Sequence, residues 1–132
     1  MLRLVREGNV AVQRHLLAVP PERVWLSSVA AEEAVAGRLA NIQRARSGKG
    51  PVTLAQAHGD LTNTLMDLCH FRILPFSEAA ESVFGSLPAR AKRVGSQDCR
   101  IAAQAVAAGV IVVTRNLRDF EDIGVACTDW SS

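Results

Sequence analysis

One run constrains this chain more than any other: "GSQDCRIAAQAVAAGVIVVTRNLRDF", residues 95 to 120. Within it, "SQDCRIAAQAVAAG" (96–109) is rich in helix formers and closes on a glycine, the residue best suited to the left-handed turn after a helix. "VIVVT" (110–114) is a short apolar run of strand type. "NLRDF" (116–120) begins another turn of helix. A helix that feeds a buried strand, with a second helix at once behind it, is the connection parallel sheets require. One acid stands on each side of the strand, Asp98 before it and Asp119 after it.

The rest of the chain alternates in the same way. "NVAVQRHLLAV" (9–19) places Val12, Leu16 and Val19 at helical spacing, and Pro20 and Pro21 stop it. "RVWLSSV" (23–29) reads as a buried strand with Trp25 in the core, and "AAEEAVAGRLANIQRAR" (30–46) as a helix. "SGKGP" (47–51) is a loop, since it lacks the full phosphate-loop pattern. "TLAQAHGDLTNTLMDLCHF" (53–71) is a long helix with Leu54, Ala57, Leu61, Leu65 and Leu68 on one stripe. "RILPF" (72–76) is a short strand. "SEAAESVFGSL" (77–87) is a helix capped by Ser77. "GVACTDW" closes the chain with a last short strand. The expected fold is therefore α/β, one domain over residues 1–132 around a parallel sheet.

Such sheets bind ligands outside the carboxyl ends of their strands. Glu32 and Glu33 follow the strand at Trp25, Asp119 follows the strand at Val110, and Asp98 starts the helix leading into that strand. Carboxylates gathered at one edge need a counter-charge, and a hard divalent cation supplies it. Each acid also has a plain explanation. Asp98 lies in a first helical turn, where the dipole favours it. Asp119 is three residues after Asn116, as in a capping box. Glu33 is early in a helix. Spacing alone leaves both explanations open.

Other classes are disfavoured. No apolar run approaches the ~20 residues that span a bilayer, and "MLRLVREGNV" lacks the apolar centre of a signal peptide. The three cysteines are odd in number and widely spaced, as expected of reduced thiols in the cytoplasm. The histidines, His15, His58 and His70, have no ligand spacing. Net charge is only +2, but Lys49 and Lys92 are the only lysines among fifteen basic residues, so arginine dominates. A GC-rich genome explains that bias as well as phosphate binding does. Arg90, Lys92 and Arg93 precede Asp98. With Arg100, Arg115 and Arg118 they would steer an RNA backbone or form a solvated face. Few aromatics and no tyrosine argue against a base-stacking platform.

The segment from residue 95 to 120 resembles the C-terminal signature of PIN-domain ribonucleases, especially the VapC-like toxins of type II toxin–antitoxin systems. Asp98, "IAAQAVAAG", "VIVVT" and "TRNLRDF" carry the likeness. "VWLSSVAAEEAVAGRL" resembles that family's second strand and Glu-containing helix. Gly37, four residues on, selects Glu33 over Glu32. "VACTDW" resembles its closing Asp-Trp. The resemblance spans roughly residues 3 to 130 and implies a three-layer α/β/α fold with a central parallel sheet. It implies metal-dependent endonucleolytic cleavage of RNA, with Glu33, Asp98 and Asp119 holding Mg²⁺ or Mn²⁺. Thr114 and Asn116 would orient ligands or water. A cognate antitoxin would cover the site, and the toxin would form a homodimer.

The opening departs from that pattern. The family starts with an apolar strand ending in an Asp that ligates the metal, and that strand lies in the middle of the sheet. Here the chain opens in what resembles the first helix, and Glu7, the one acid among the first 21 residues, does not take the place of that Asp. Either the reading frame extends upstream of Met1, or the domain is a truncated, catalytically impaired module that binds antitoxin or RNA without cleaving it. Loss of a central strand leaves backbone groups unpaired, so marginal stability or dependence on a partner is expected of the chain as written.

Overall fold

Local chemistry sets most of the element ends. The structure, a computed structural model, describes residues 10–131, with only the backbone of Arg90 and Val94. The stretch before Val10, with Glu7, and the side chain of Arg90 lie outside the described residues. Helix α1 spans Val10–Ala18. Pro21 opens a single 3-10 turn to Arg23, at a position where a missing N–H costs nothing. Strand β1 is Trp25–Ser27, and helix α2 runs from Ser28 to Arg46. The Ser27 hydroxyl caps α2, accepting from the amides of Val29 at 3.1 Å and Ala30 at 3.3 Å. Helix α3, Leu54–Leu68, begins with a full capping box between Thr53 and Gln56.

Strand β2 is Arg72–Leu74. Helix α4, Glu78–Ser86, is capped by Ser77 as expected, through the Ala80 amide at 3.1 Å. A short helix α5, Ala89–Val94, follows Pro88. Helix α6, Ser96–Ala108, ends at Gly109, whose φ of 68° is the left-handed conformation glycine takes without a steric penalty. Strand β3 is Val112–Val113, helix α7 is Leu117–Ile123, and strand β4 is Cys127–Thr128.

Both strand pairs are parallel, as the alternation of helix and strand requires. β1 pairs with β2 in the register Trp25–Arg72, Leu26–Ile73 and Ser27–Leu74. β3 pairs with β4 through Val112–Cys127 and Val113–Thr128. Among the described residues the two pairs do not join, so the sheet is in two halves rather than one continuous layer.

Helix α6 holds the halves together. Its Ala102 and Ala105 form a core with Val112, Phe120 and Val125, closed by Ile101, Ile123 and Cys127. It also packs extensively on α4 and touches α2, while α2 pairs along its length with α3. Burying small alanines lets α6 approach β3 closely at little cost in side-chain entropy.

Several elements are shorter than their sequence pattern. The strand expected over 110–114 keeps only Val112 and Val113, because the Val110 amide still bonds Ala105 O at 3.0 Å as part of the helix end. The strand expected over 72–76 stops before Pro75, which has no N–H to donate. Trp25 is 42 % exposed rather than core. Its neighbour Leu26 takes the buried face of β1, and alternation turns Trp25 outward, under the Arg72 guanidinium at 5.5 Å. On α3 the expected stripe buries Ala57 but leaves Leu54 and Leu65 exposed.

Candidate functional site

The carboxyl ends of the strands collect the chemistry. Helix α6 leads into β3, so its N-terminal end, where Asp98 sits in the first turn, lies at the carboxyl edge of the sheet. Helix α7 leaves that same edge after β3 and carries Asp119 in its own first turn. The two acids are near enough to feel each other. Burial, and then the negative charge of Asp119, push the Asp98 carboxyl above its ordinary range. The α6 dipole favours an anion at this place, and burial with the second acid outweighs it.

Asp98 lies in the first turn of α6, where the dipole favours an acid, but Asp119 is not explained by capping. The Asn116 side chain makes no cap hydrogen bond, so the capping-box reading of Asp119 does not hold. Gly95 stands at the N-cap of α6 and offers no side chain to it. The Asp98 carboxylate folds back toward Gly95, where an added Cβ would sit 3.4 Å from Oδ2. Thr114 makes the tight turn between β3 and α7: its amide donates to Thr128 O at 2.9 Å, and its hydroxyl accepts from the Asn116 amide at 3.0 Å. That turn aims the start of α7, with Asp119, back over the strand end.

Glu33 is exposed on the second turn of α2, which starts at the carboxyl end of β1. It therefore belongs to the same edge, but on the other half-sheet. Among the described residues no three of His, Cys, Asp and Glu stand together closely enough to share a metal ion. The structure thus couples Asp98 to Asp119, and Glu33 completes no group of three with them among the described residues.

The donor chemistry of the pair suits a hard divalent cation. Both groups offer oxygen, and a cation between them would relieve the repulsion that raises Asp98. Cys99, buried beside Asp98, does not compete. Burial and the Asp98 charge push its thiol up, against a smaller opposing pull from Lys92 and Arg100, so it stays protonated.

The arginines differ in availability. Arg93, Arg115 and Arg118 are exposed. Arg100 is occupied by the protein itself: it donates to Ser96 Oγ and Gln97 Oε1, both at 2.7 Å, and lies 5.0 Å from the Phe84 ring centroid. Lys92 approaches the same ring at 4.9 Å. His15 stacks on Trp130, with centroids 5.2 Å apart, and takes no part in the acid edge.

One residue here has no counterpart in the sequence expectations. Gln104 of α6 is 1 % exposed. Its Nε2 donates to Ser28 Oγ and to Leu74 O, both at 2.9 Å, and its Oε1 accepts from Ser27 Oγ. The only trace in the sequence is a carboxamide set among the alanines of "IAAQAVAA".

A family model, the PIN domain, matches residues 2–126. No curated protein shows a significant sequence match. Among solved structures, a chain of VapBC-1 from nontypeable Haemophilus influenzae superimposes with a TM-score of 0.74 at 16 % identity, covering 98 % of this chain and 92 % of that one. A chain of DNA-bound VapBC from Salmonella typhimurium gives 0.73 at 22 % identity, covering 96 % and 89 %. A chain of FitAcB from Neisseria gonorrhoeae gives 0.67 at 26 % identity, covering 90 % and 84 %.

Proposed function

Because this chain belongs to the PIN domain family, we propose that it is a metal-dependent endoribonuclease toxin, held in check by a cognate antitoxin. The observation that carries the reading is the Asp98–Asp119 pair, a half-buried and an exposed carboxylate at the carboxyl edge, the first raised by burial and by the second. Asp98 and Asp119, with Glu33 from the facing half-sheet, would hold Mg²⁺ or Mn²⁺. When bound, such an ion supplies activation of the attacking water and stabilisation of the leaving oxygen in phosphodiester cleavage. The protein's own groups do the rest. Asp98 and Asp119 would hold the cation between them, and the Thr114 turn would set the start of α7, which carries Asp119. Asn116, whose amide group makes no cap bond, is free to orient a ligand or water. Arg93, Arg115 and Arg118 steer the RNA phosphates to the edge.

An antitoxin partner is supported by the likeness to chains of VapBC and FitAcB structures. A homodimer and a cytoplasmic site of action belong to the same reading. No helix among the described residues is long and apolar enough to cross a membrane. A second reading has its own observation. The acids form a pair and not a trio among the described residues, which favours an impaired module that binds antitoxin or RNA without cutting.

RNA cleavage with and without Mn²⁺ decides between them. The nuclease reading expects cleavage that chelator abolishes and that Asp98→Asn reduces by at least about 100-fold, since outer-sphere partners of a metal alone are worth 10- to 100-fold. Antitoxin binding without any metal-dependent cleavage would sink it and leave the binding module.

A further inference from the structure

Two cations converge on one ring beside the start of α6. Lys92 of α5 places its Nζ 4.9 Å from the centroid of the Phe84 ring, and Arg100 of α6 places its Cζ 5.0 Å from the same centroid. Both side chains are half-buried. Among the described residues neither has an ion-pair partner; the pair of Arg38 with Asp60, at 4.0 Å, lies elsewhere, between α2 and α3. Withdrawing a cation from water without a counter-charge carries a cost, and bringing a second one to the same ring adds repulsion.

Each cation is held, but only by neutral groups. Lys92 Nζ donates to Gly85 O at 3.3 Å. Arg100 donates to Ser96 Oγ and Gln97 Oε1 through the same terminal nitrogen, which leaves its Nε and its other terminal nitrogen unbonded among the described residues. Neutral acceptors and an aromatic ring orient a cation without cancelling its charge. Both charges are thus fixed in advance for an anion, and such preorganisation lowers the entropy that binding costs. Packing alone does not call for this, since apolar side chains would cover Phe84 without gathering two like charges.

Their placement suggests which anion. Successive helical residues turn by about 100°, so Arg100 and Asp98 lie about 200° apart around α6. Arg100 meets Phe84 of α4 on one flank, while Asp98 feels Asp119 of α7 on the other. Arg115 and Arg118 are exposed at the start of α7. An anionic chain that followed all four cations would cross the N-terminal end of α6 and pass the acid pair on the way. That end favours negative charge as well. A helix is about 10–12 Å wide with its side chains, or about three phosphates at the duplex spacing of about 3.4 Å.

We propose that Lys92 and Arg100, seated on Phe84, form a phosphate subsite for the RNA strand, on the flank of α6 opposite the acid pair. The proposal rests on the reading of this protein as one that acts on RNA. It does not require a bound metal ion.

The test is binding of a short, fluorescent, mixed-sequence single-stranded RNA by the full chain in chelator, over a series of salt concentrations. Phosphate contacts are independent of sequence, so the target sequence need not be known. Lys92→Gln and Arg100→Gln are each expected to weaken binding roughly fivefold at low salt, the upper end for one exposed ion pair. Each should also reduce the slope of log affinity against log salt by about 0.7, the loss of one phosphate contact on a single strand. Arg100→Lys keeps the charge and should keep the slope. Lys49→Gln, in the loop beyond the far end of α2, should change neither quantity. A purely structural role predicts a lower melting temperature with the slope at its native value. Should Arg100→Gln fail to fold, Lys92→Gln decides alone. Native affinity and slope in the Gln variants overturn the subsite. If binding is then lost on changing Arg115 and Arg118 to Gln, the RNA reading stands and the subsite alone fails. If the native chain binds no RNA even at low salt, the RNA reading fails and the subsite with it.

Discussion

Phe120 offers the sharpest test of how the acid edge is supported. Its ring is 3 % exposed and sits in the core of Ala102, Ala105, Val112 and Val125, one residue after Asp119. Its carbonyl accepts from the amides of both Gly124 and Val125 at 3.1 Å, so the residue also closes the end of α7. An aromatic side chain buries about 150–250 Å², and at about 25 cal/mol per Å² this is worth roughly 4–6 kcal/mol. Alanine keeps a small part of that area but leaves a cavity, and the two effects together put Phe120→Ala at about 3–5 kcal/mol. For a chain of this length about 1 kcal/mol corresponds to roughly 4 °C in Tm, so the expected fall is about 10–20 °C. Against a typical stability of about 5–15 kcal/mol, the variant approaches or crosses the unfolding threshold at ambient temperature. Urea unfolding followed by circular dichroism measures it, with Phe120→Leu as a milder companion and Leu17→Ala, at an 89 % exposed site, as a control expected within about 0.5 kcal/mol. A loss below about 1 kcal/mol for Phe120→Ala, or equal losses at Phe120 and Leu17, would refute the argument that this cluster holds α7 and Asp119 in place.

Asp98→Asn is expected to stabilise the metal-free protein at neutral pH. The folded-state pKa of Asp98 is raised by burial first and Asp119 second, so ionisation disfavours the folded state. The disadvantage is complete above the raised value and vanishes once the pH falls below the ordinary value of 3.8. Melting curves from pH 3 to pH 8 should therefore show a gain for the variant that shrinks toward the acid end, and a gain constant with pH would contradict it. Added Mn²⁺ should raise the Tm of the native chain and not that of Asp98→Asn. Gly109→Ala, at φ 68°, should cost about 1–2 kcal/mol by chemical denaturation, and a neutral effect would mean that the α6 end is not left-handed. Ser77→Ala should cost about 1 kcal/mol through the lost cap on α4, with the Ala80 amide exchanging faster with solvent.

What the chain alone determined is local. Gly109 ends α6 because only glycine takes that backbone angle freely, Ser77 caps α4 because its hydroxyl reaches an amide three residues on, and Pro20 with Pro21 ends α1 because proline cannot continue a helix. These signals act within about one helical turn, so a sequence read in short windows carries them. The order of helices and strands, and with it the parallel pairing, follows from the same patterns. So does the placement of Asp98 and Asp119 on either side of one strand.

The tertiary structure decided what depends on residues far apart. Gln104 meets Ser27 and Ser28 across 77 and 76 positions, and nothing in "IAAQAVAA" or "WLSS" announces the contact. Trp25 faces outward because Leu26 had the better claim to the buried face, and Ile111 is 59 % exposed because the helix end delays the strand. The coupling of Asp98 to Asp119 comes from how α6 and α7 pack against each other. Periodicity says which face of an element is apolar. Where that face comes to rest is set by packing against partners whose positions are themselves outcomes of the fold.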